Sequence, residues 1–174
     1  RVALVFIGFE AGELARDGLG DALNGDPVIA VAGGHNHAGD ADVALDTDAL
    51  RDGIAALGEG ITGIAVAARF GTRNPAHELA ARDMIREMTG LPVTCSHELS
   101  AKLGGPKRAM TAVLNARLIG MIDHLIGATE THLREIGITA PMMVVRGDGA
   151  LISADMARER PIETILSGPA ASIV

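Results

Sequence analysis

The chain has 174 residues, of which 48% are hydrophobic, so it can bury the core of one domain or of two small lobes. Its 22 acidic residues outnumber its 15 Lys and Arg residues, the formal net charge is -7, and Trp and Tyr are absent. Nucleic-acid binding needs clustered cations and aromatic platforms, so this composition excludes a nucleic-acid partner.

The only cysteine, Cys95, cannot form an internal disulfide, and we therefore predict a cytoplasmic location. The apolar opening run is too short to span a bilayer and lacks a cleavage site, which predicts neither a membrane segment nor a secretion signal. The chain begins without Met and stops inside a helix-like run. We expect it to be a piece of a larger protein.

Apolar runs with β-branched residues predict five strands, most of them buried, at residues 2–7, 28–32, 61–68, 92–95 and 142–145. A helix over residues 46–57 is expected to begin at Asp46 or Thr47. A second is expected to begin at Asn74 and Pro75 and to end at Gly90. The alternation of strands and helices predicts an α/β fold.

The longest helical pattern covers residues 107–137, where apolar side chains recur every three or four residues. It predicts one long helix, or two helices with a break near Gly127. The Gly- and Pro-rich stretch LGGPKR precedes this pattern and is the best candidate boundary between two lobes, residues 1–103 and 104–174.

The stretch VVRGDGALIS is the first place that could carry chemistry. A buried strand would deliver Arg146 and then Gly147, Asp148 and Gly149. Ligands of open α/β sheets collect at the carboxyl ends of strands, so Asp148 could meet a substrate or a metal there. The pattern alone favours the alternative, an ordinary Asp-Gly hairpin turn.

Two further candidates lie on predicted helices. Ser167 can cap a helix that continues through Gly168, and the free backbone amides of such a helix start can hold an anion, although a structural cap is the simpler interpretation. Thr111 and Asn115 lie one turn apart on the long helix, with Arg108 on the same side. Asn115 could bind a substrate amide or tie the helix to a neighbouring backbone.

A fourth candidate is the loop GGHNHAGDAD. Its His35, His37, Asp40 and Asp42 are side-chain types that bind divalent metals, but the loop offers no fixed third ligand. We therefore predict a solvent-exposed loop and assign no metal site. The sequence contains no Walker-type phosphate loop and no recognisable nucleophile triad.

Taken together, these motifs resemble one known family. The run from TAVLN at residues 111–115 through RGDGALIS to RPIETILSGPAAS resembles the central segment of the hydantoinase/oxoprolinase family, especially its hydantoin-utilisation protein A branch. The stretches ARFGTRNPAHEL and GGHNHAGDADVALD resemble the segments that precede it. The resemblance therefore covers nearly the whole chain.

The resemblance implies an actin-like, ribonuclease-H-like ATPase fold, with a partial N-terminal lobe at residues 1–103 and the start of the hydantoinase A domain at residues 104–174. It implies ATP-dependent opening of a cyclic amide such as a hydantoin or 5-oxoproline, with Mg²⁺ neutralising the phosphates. A partner subunit of the hydantoinase B type, or a homo-oligomer, is implied as well.

The resemblance also implies roles for individual residues. Asp148 would be catalytic, and Ser167 and Gly168 would bind phosphate. The implied substrate-binding residues are Thr111, Asn115, Gly147 and Gly149. The two phosphate loops of the relatives are missing, so we expect this chain alone neither to bind ATP tightly nor to turn over a substrate. The stretch at residues 146–150 departs from the oxoprolinase pattern and favours the hydantoinase branch.

Two alternatives stay open at this point. Relatives include subunits of ATP-dependent ketone carboxylases that act on acetone or acetophenone. The chain could instead be a non-catalytic assembly domain, whose long helix packs on a partner subunit. A buried Asn115 that faces protein rather than a cleft would support the assembly role.

Overall fold

The computed structural model describes residues 1–165 and 167–173 of the chain. They fall into two compact units, Arg1–Arg117 and Leu118–Val174, which are called the first and the second unit below. The boundary predicted between residues 103 and 104 concerns the domains that the sequence resemblance implies, and it stays a prediction.

The first unit is built on a parallel sheet of four strands, β1 (Val2–Ile7), β2 (Val28–Val31), β3 (Gly63–Ala68) and β4 (Val93–Cys95). Their order in the sheet is β2-β1-β3-β4. Every residue of β1 and β3 is buried, because helices cover both faces of the sheet. The predicted α/β architecture and these four strands are confirmed.

The helices of this unit are α1 (Leu19–Leu23), α2 (Thr47–Ala55), α3 (Ala76–Thr89), α4 (Ser96–Leu99) and the first part of α5 (Gly105–Glu135). A short 3-10 helix, Ala11–Ala15, follows β1. The Asp46 side chain accepts a hydrogen bond from the Ala49 N–H at 2.9 Å and starts α2. Gly90, with a φ of 67°, ends α3 as predicted.

Two apolar layers hold these helices to the sheet. Leu50 and Ile54 of α2 and Ile85 of α3 pack on one face. Leu19 and Leu23 of α1 pack on the other face together with small residues of α5, namely Ala109, Ala112, Val113 and Ala116. The chain leaves β1 over one face and leaves β3 over the opposite face, and the ends of such neighbouring strands are where open α/β sheets usually bind ligands.

The long helix α5 is continuous through Gly127, so the first of the two predicted alternatives is correct. By length and composition alone, α5 could span a membrane. Its Ala109, Ala112 and Val113 are nevertheless buried against the sheet. In this stretch, the apolar side chains of α5 pack against the sheet, as those of a core helix do.

The second unit combines the last part of α5 with a hairpin of two strands, β5 (Met143–Val145) and β6 (Leu151–Ser153). Helix α6 (Ala154–Glu159), a 3-10 helix (Pro161–Thr164) and α7 (Ser167–Ile173) follow. The prediction of a buried strand at residues 142–145 was wrong: β5 pairs only with β6 among the described residues, and Met143 is 47% exposed.

Candidate functional site

The turn between β5 and β6 holds the RGDG motif. The Arg146 N–H donates to the Ala150 carbonyl at 2.8 Å, and the Gly149 N–H donates to the Arg146 carbonyl at 2.9 Å. Gly149 has a φ of 87°, which a residue with a side chain rarely adopts. The hairpin-turn interpretation is therefore confirmed, and the strand that delivers Asp148 belongs to the antiparallel hairpin and not to the parallel sheet.

Asp148 is exposed and charged. Its carboxylate accepts hydrogen bonds from the Arg146 guanidinium and from the Ala150 N–H, the latter at 3.1 Å, and 54% of the side chain is accessible. The Arg146 hydrogen bonds hold the pKa of Asp148 well below its usual range. Asp148 is thus an anion at neutral pH, able to attract a cation but unable to donate a proton. Its catalytic role stays a prediction.

Gly147 is placed by contacts with the 3-10 helix that follows α6. Its N–H donates to the Glu163 carbonyl at 2.9 Å, and a Cβ at this position would lie 2.4 Å from the Ile165 carbonyl oxygen. The backbone approach therefore requires glycine. Substrate binding by Gly147 and Gly149 stays a prediction, and the Gly147 amide is engaged within the chain.

Asn115 and Thr111 differ sharply in their surroundings. Asn115 is fully buried, and its Nδ2 donates to the Thr94 Oγ1 at 3.2 Å, which ties α5 to β4. Thr111 is partly exposed and donates to the Lys107 carbonyl at 3.0 Å. This burial is what the assembly-domain alternative predicts for Asn115. The substrate-binding roles of both residues stay predictions.

Ser167 and Gly168 open α7 and line a pocket of about 360 Å³ within the second unit. The other walls come mainly from apolar residues, Ile122, Leu125, Ile126, Met142, Met143, Val144, Val145 and Ala171. No Lys or Arg lines it among the described residues, so these residues do not fit a triphosphate. The phosphate-binding roles of Ser167 and Gly168 stay predictions.

The His35 loop departs from the predicted exposed loop. His37, Asp40 and Asp42 are exposed, as predicted, but His35 is buried, with its ring 4.3 Å from that of His77. The Nδ1 of His35 has no hydrogen-bond partner within the described chain. Burial lowers the pKa of both rings.

A polar cluster that the sequence reasoning missed lies at the carboxyl ends of β3 and β4. The fully buried carboxylate of Glu78 is its centre. One oxygen accepts from the Ala68 N–H at 2.8 Å and from the Ser96 hydroxyl at 2.7 Å. The other accepts from the His97 N–H at 3.0 Å and lies 2.7 Å from the His97 Nδ1.

Arg108 balances the charge of this cluster. Its buried guanidinium donates to the Ala68 carbonyl at 2.8 Å and to the Ser96 hydroxyl at 3.3 Å. Burial alone would raise the pKa of Glu78. The hydrogen bonds from His97, Ser96 and the backbone outweigh this effect, so the pKa lies below its ordinary value. Glu78 therefore stays ionised, although it shares the buried face of α3 with Ala81 and Ile85.

The sequence did contain a signal for Glu78. It lies at helical spacing from apolar residues that are buried, and a buried carboxylate requires hydrogen-bond donors around it. Glu78, Cys95 and His97 also place one ligand atom each within 4.8 Å of one another. Both Glu78 oxygens already accept two hydrogen bonds, and burial raises the pKa of the Cys95 thiol. The cluster is therefore filled by protein donors, and we assign no metal to it.

Comparison of the chain with known proteins identifies its family. The hydantoinase/oxoprolinase N-terminal region matches residues 10–89, and the hydantoinase/oxoprolinase model matches residues 108–174. The acetophenone carboxylase gamma subunit of Aromatoleum aromaticum is 33% identical over 137 residues, 75% of this chain and 18% of the relative. The caprolactamase subunit alpha of Pseudomonas jessenii is 29% identical over 113 residues, 64% of this chain and 16% of the relative.

Solved structures give the same fold. The crystal structure of the ATP-dependent caprolactamase from Pseudomonas jessenii matches 98% of this chain and 27% of that chain, with a TM-score of 0.82 and 23% identity. The nucleotide-free acetone carboxylase matches 99% of this chain and 28% of that chain, with a TM-score of 0.74 and 19% identity. The predicted actin-like ATPase fold is thereby confirmed.

The chain spans less than a fifth of the length of these two curated relatives. Between them the two family models cover most of the chain, including Glu78 and the RGDG turn, whereas Ser96 and His97 lie in the stretch between the two matches. The chain belongs to the hydantoinase/oxoprolinase family.

Proposed function

We propose that this chain is part of the ATP-dependent subunit of a cyclic amidase, an enzyme that opens hydantoin-type or lactam rings in the cytoplasm. The observation that carries the proposal is the match of both family regions within one chain. The similarity to the caprolactamase subunit alpha supports a cyclic amide as the substrate, since caprolactam is a ring of this class.

Within such an enzyme, this chain would contribute preorganised polar groups rather than a complete nucleotide site. The ionised Asp148 would attract a cation or a cationic group, and the carboxyl edge of the parallel sheet would carry polar side chains towards a ligand. ATP and Mg²⁺ would require residues beyond those described, because the pocket beside Ser167 has apolar walls. We therefore propose that the chain alone is inactive.

The second candidate is a subunit of an ATP-dependent ketone carboxylase. The 33% identity with the acetophenone carboxylase gamma subunit over 75% of the chain favours it. Both candidates include a partner subunit, and the similarity to proteins named as gamma and alpha subunits supports that part of the proposal.

ADP release by the full-length protein, purified with its partner subunit, tests the proposal. The substrates would be hydantoin, N-methylhydantoin, 5-oxoproline, caprolactam, and acetophenone with bicarbonate. We expect one cyclic amide to stimulate ADP release with an equal amount of ring opening. Release only with acetophenone and bicarbonate would move the protein to the carboxylases, and no release with any substrate would favour the assembly role.

A further inference from the structure

We propose that His97 is an acid–base residue, which accepts a proton at Nε2 while Glu78 holds its Nδ1. The proposal rests on the proposed function for the reaction that uses the proton. It adds a residue outside the predicted site, and it makes Glu78 a positioning residue that acts through His97.

The hydrogen bonds fix the tautomer of His97. Its Nδ1 lies 2.7 Å from a Glu78 oxygen, and an ionised carboxylate can only accept hydrogen bonds. Nδ1 therefore carries the hydrogen, and in the neutral ring Nε2 carries the lone pair. The same arrangement of a buried carboxylate and an imidazole orients the bases of hydrolytic enzymes and the histidine ligands of metals.

The His97 side chain is 17% exposed, and its Nδ1 is the ring nitrogen that Glu78 engages. Within the described residues, Nε2 makes no hydrogen bond and is not among the fully buried unpaired atoms. The ring is thus held rigidly at one nitrogen and open at the other.

The carboxylate that holds the ring is itself kept in place. Ser96 donates to Glu78 and accepts from Arg108, so the guanidinium is linked to the anion through one hydroxyl. The titratable and charged groups around the dyad are Arg82 of α3, Cys95 of β4, Glu98 of α4 and Arg108 of α5. Glu78 and Arg108 compensate each other's charge in the interior.

The chemical step is a balanced proton transfer. As a water molecule attacks the amide carbon, one of its O–H bonds breaks and the proton binds to Nε2. The electron pair of that bond remains on the oxygen, which forms the new bond to carbon while the π pair of the C=O bond moves onto the carbonyl oxygen. That pair re-forms the C=O bond when the ring C–N bond breaks, and the nitrogen keeps the C–N electron pair and takes the proton from the imidazolium.

Ring opening by the full-length protein with its partner subunit is the first test. His97→Gln should reduce kcat by about 100-fold to 10,000-fold with little change in KM, and added imidazole should restore part of the activity of His97→Ala. His132→Gln is the matched control, because His132 also lies beside a glutamate, Glu135, but both side chains are largely exposed. Ring opening by His97→Gln at the rate of this control would overturn the proposal.

The second test is independent of turnover. Diethyl pyrocarbonate reacts with accessible, unprotonated imidazole nitrogens, and peptide mapping identifies the modified residue. We expect His97 to react clearly faster than the buried His35, and the ¹⁵N spectrum to show the Nδ1–H tautomer in the native protein but a mixture in Glu78→Gln. A His97 as unreactive as His35 would overturn the proposal even in an active enzyme. Absence of ADP release with every substrate would contradict the proposed function instead, and the labelling would still decide whether His97 offers a free nitrogen.

Discussion

The first unit contains a buried charged cluster as well as exposed ion pairs such as Arg51 with Asp48, whereas the described ion pairs of the second unit are all at least partly exposed. In the first unit, Glu78 and Arg108 are buried and every oxygen of the carboxylate has donors. In the second unit, Arg146 pairs with Asp148. Arg158 pairs with Asp123 and Glu130, and the side chains of all these pairs are at least partly exposed to solvent. Buried pairs are strongly coupled to folding, whereas exposed pairs contribute little to stability.

The apolar residues follow the same division. The first unit packs helices on both faces of its sheet, while the small core of the second unit consists of Ile126, Ile152, Ala154 and Ala157. Leu125, Met143 and Leu151 are exposed in the second unit. The comparison teaches that Glu78, Arg108 and Asn115 of the first unit are buried inside the fold, whereas Asp148 of the second unit is exposed. Substitutions can break or sharpen this difference.

The largest effect is expected for Glu78→Ala. It leaves Arg108 as an unpaired buried cation and removes the acceptor for Ala68, Ser96 and His97, so the free energy of unfolding should fall by about 3–5 kcal/mol. Urea denaturation followed by circular dichroism measures it. Glu87→Ala, on the exposed face of the same helix, is the control and should change it by less than about 0.5 kcal/mol. Equal effects would show that the buried network is not a stabilising feature.

A smaller effect is expected for Asn115→Ala. The substitution leaves Thr94 without its buried partner and should cost about 1–3 kcal/mol. Thr111→Ala, one turn away on the same helix, should cost less than about 0.5 kcal/mol. Thermal unfolding of both variants compares them. If Asn115→Ala leaves stability unchanged but abolishes substrate binding, the assignment of Asn115 to the fold is wrong.

The pH dependence of the first unit should involve His35. Burial lowers the pKa of His35 and His77 below the ordinary value of 6.5, so the unfolded chain binds protons that the folded chain excludes. Stability should be complete above this pH and fall as the pH decreases towards the folded pKa values. In His35→Phe, the loss of stability between about pH 7 and pH 5 should be smaller. An unchanged pH dependence would contradict the pairing of the two rings.

The smallest effect on stability is expected for Asp148→Asn. The side chain is exposed, so the free energy of unfolding should barely change. If Asp148 is catalytic, ring opening by the full-length enzyme should nevertheless fall strongly. Glu159→Gln, another acid of the second unit, is the control for activity. A large loss of stability in Asp148→Asn would place the turn among the structural elements.

The sequence predicted what local patterns encode. Continuous apolar runs predicted the buried strands β1 and β3, and Asp46 and Gly90 predicted the two ends at which α2 starts and α3 stops. Strand β6 escaped prediction because its three residues are too few for a period-2 signal. Strand β5 was predicted as a strand, but its burial was not predicted correctly. Three or four apolar residues do not indicate which strand pairs with them.

The Glu78 cluster was harder to predict, because the residues that contact one another in it are far apart along the chain. His97 lies 19 residues from Glu78, and Arg108 lies 40 residues from Ala68. No helical or strand periodicity links such positions. Only the burial of His35 in this loop was missed, and for the same reason: the glycines of the loop suggested exposure, whereas the ring of His77, 42 residues further on, lies 4.3 Å away.

The buried Cys95 has a practical consequence. It is the only thiol in the chain, it is fully buried in β4, and burial raises its pKa, so it should be inert to thiol reagents while the sheet is closed. A thiol reagent should modify it only when the strand transiently separates from its neighbour. The rate of that reaction would measure how often the interior opens, without any introduced label. The chain thus contains its own reporter of local opening at β4, the edge strand of the parallel sheet.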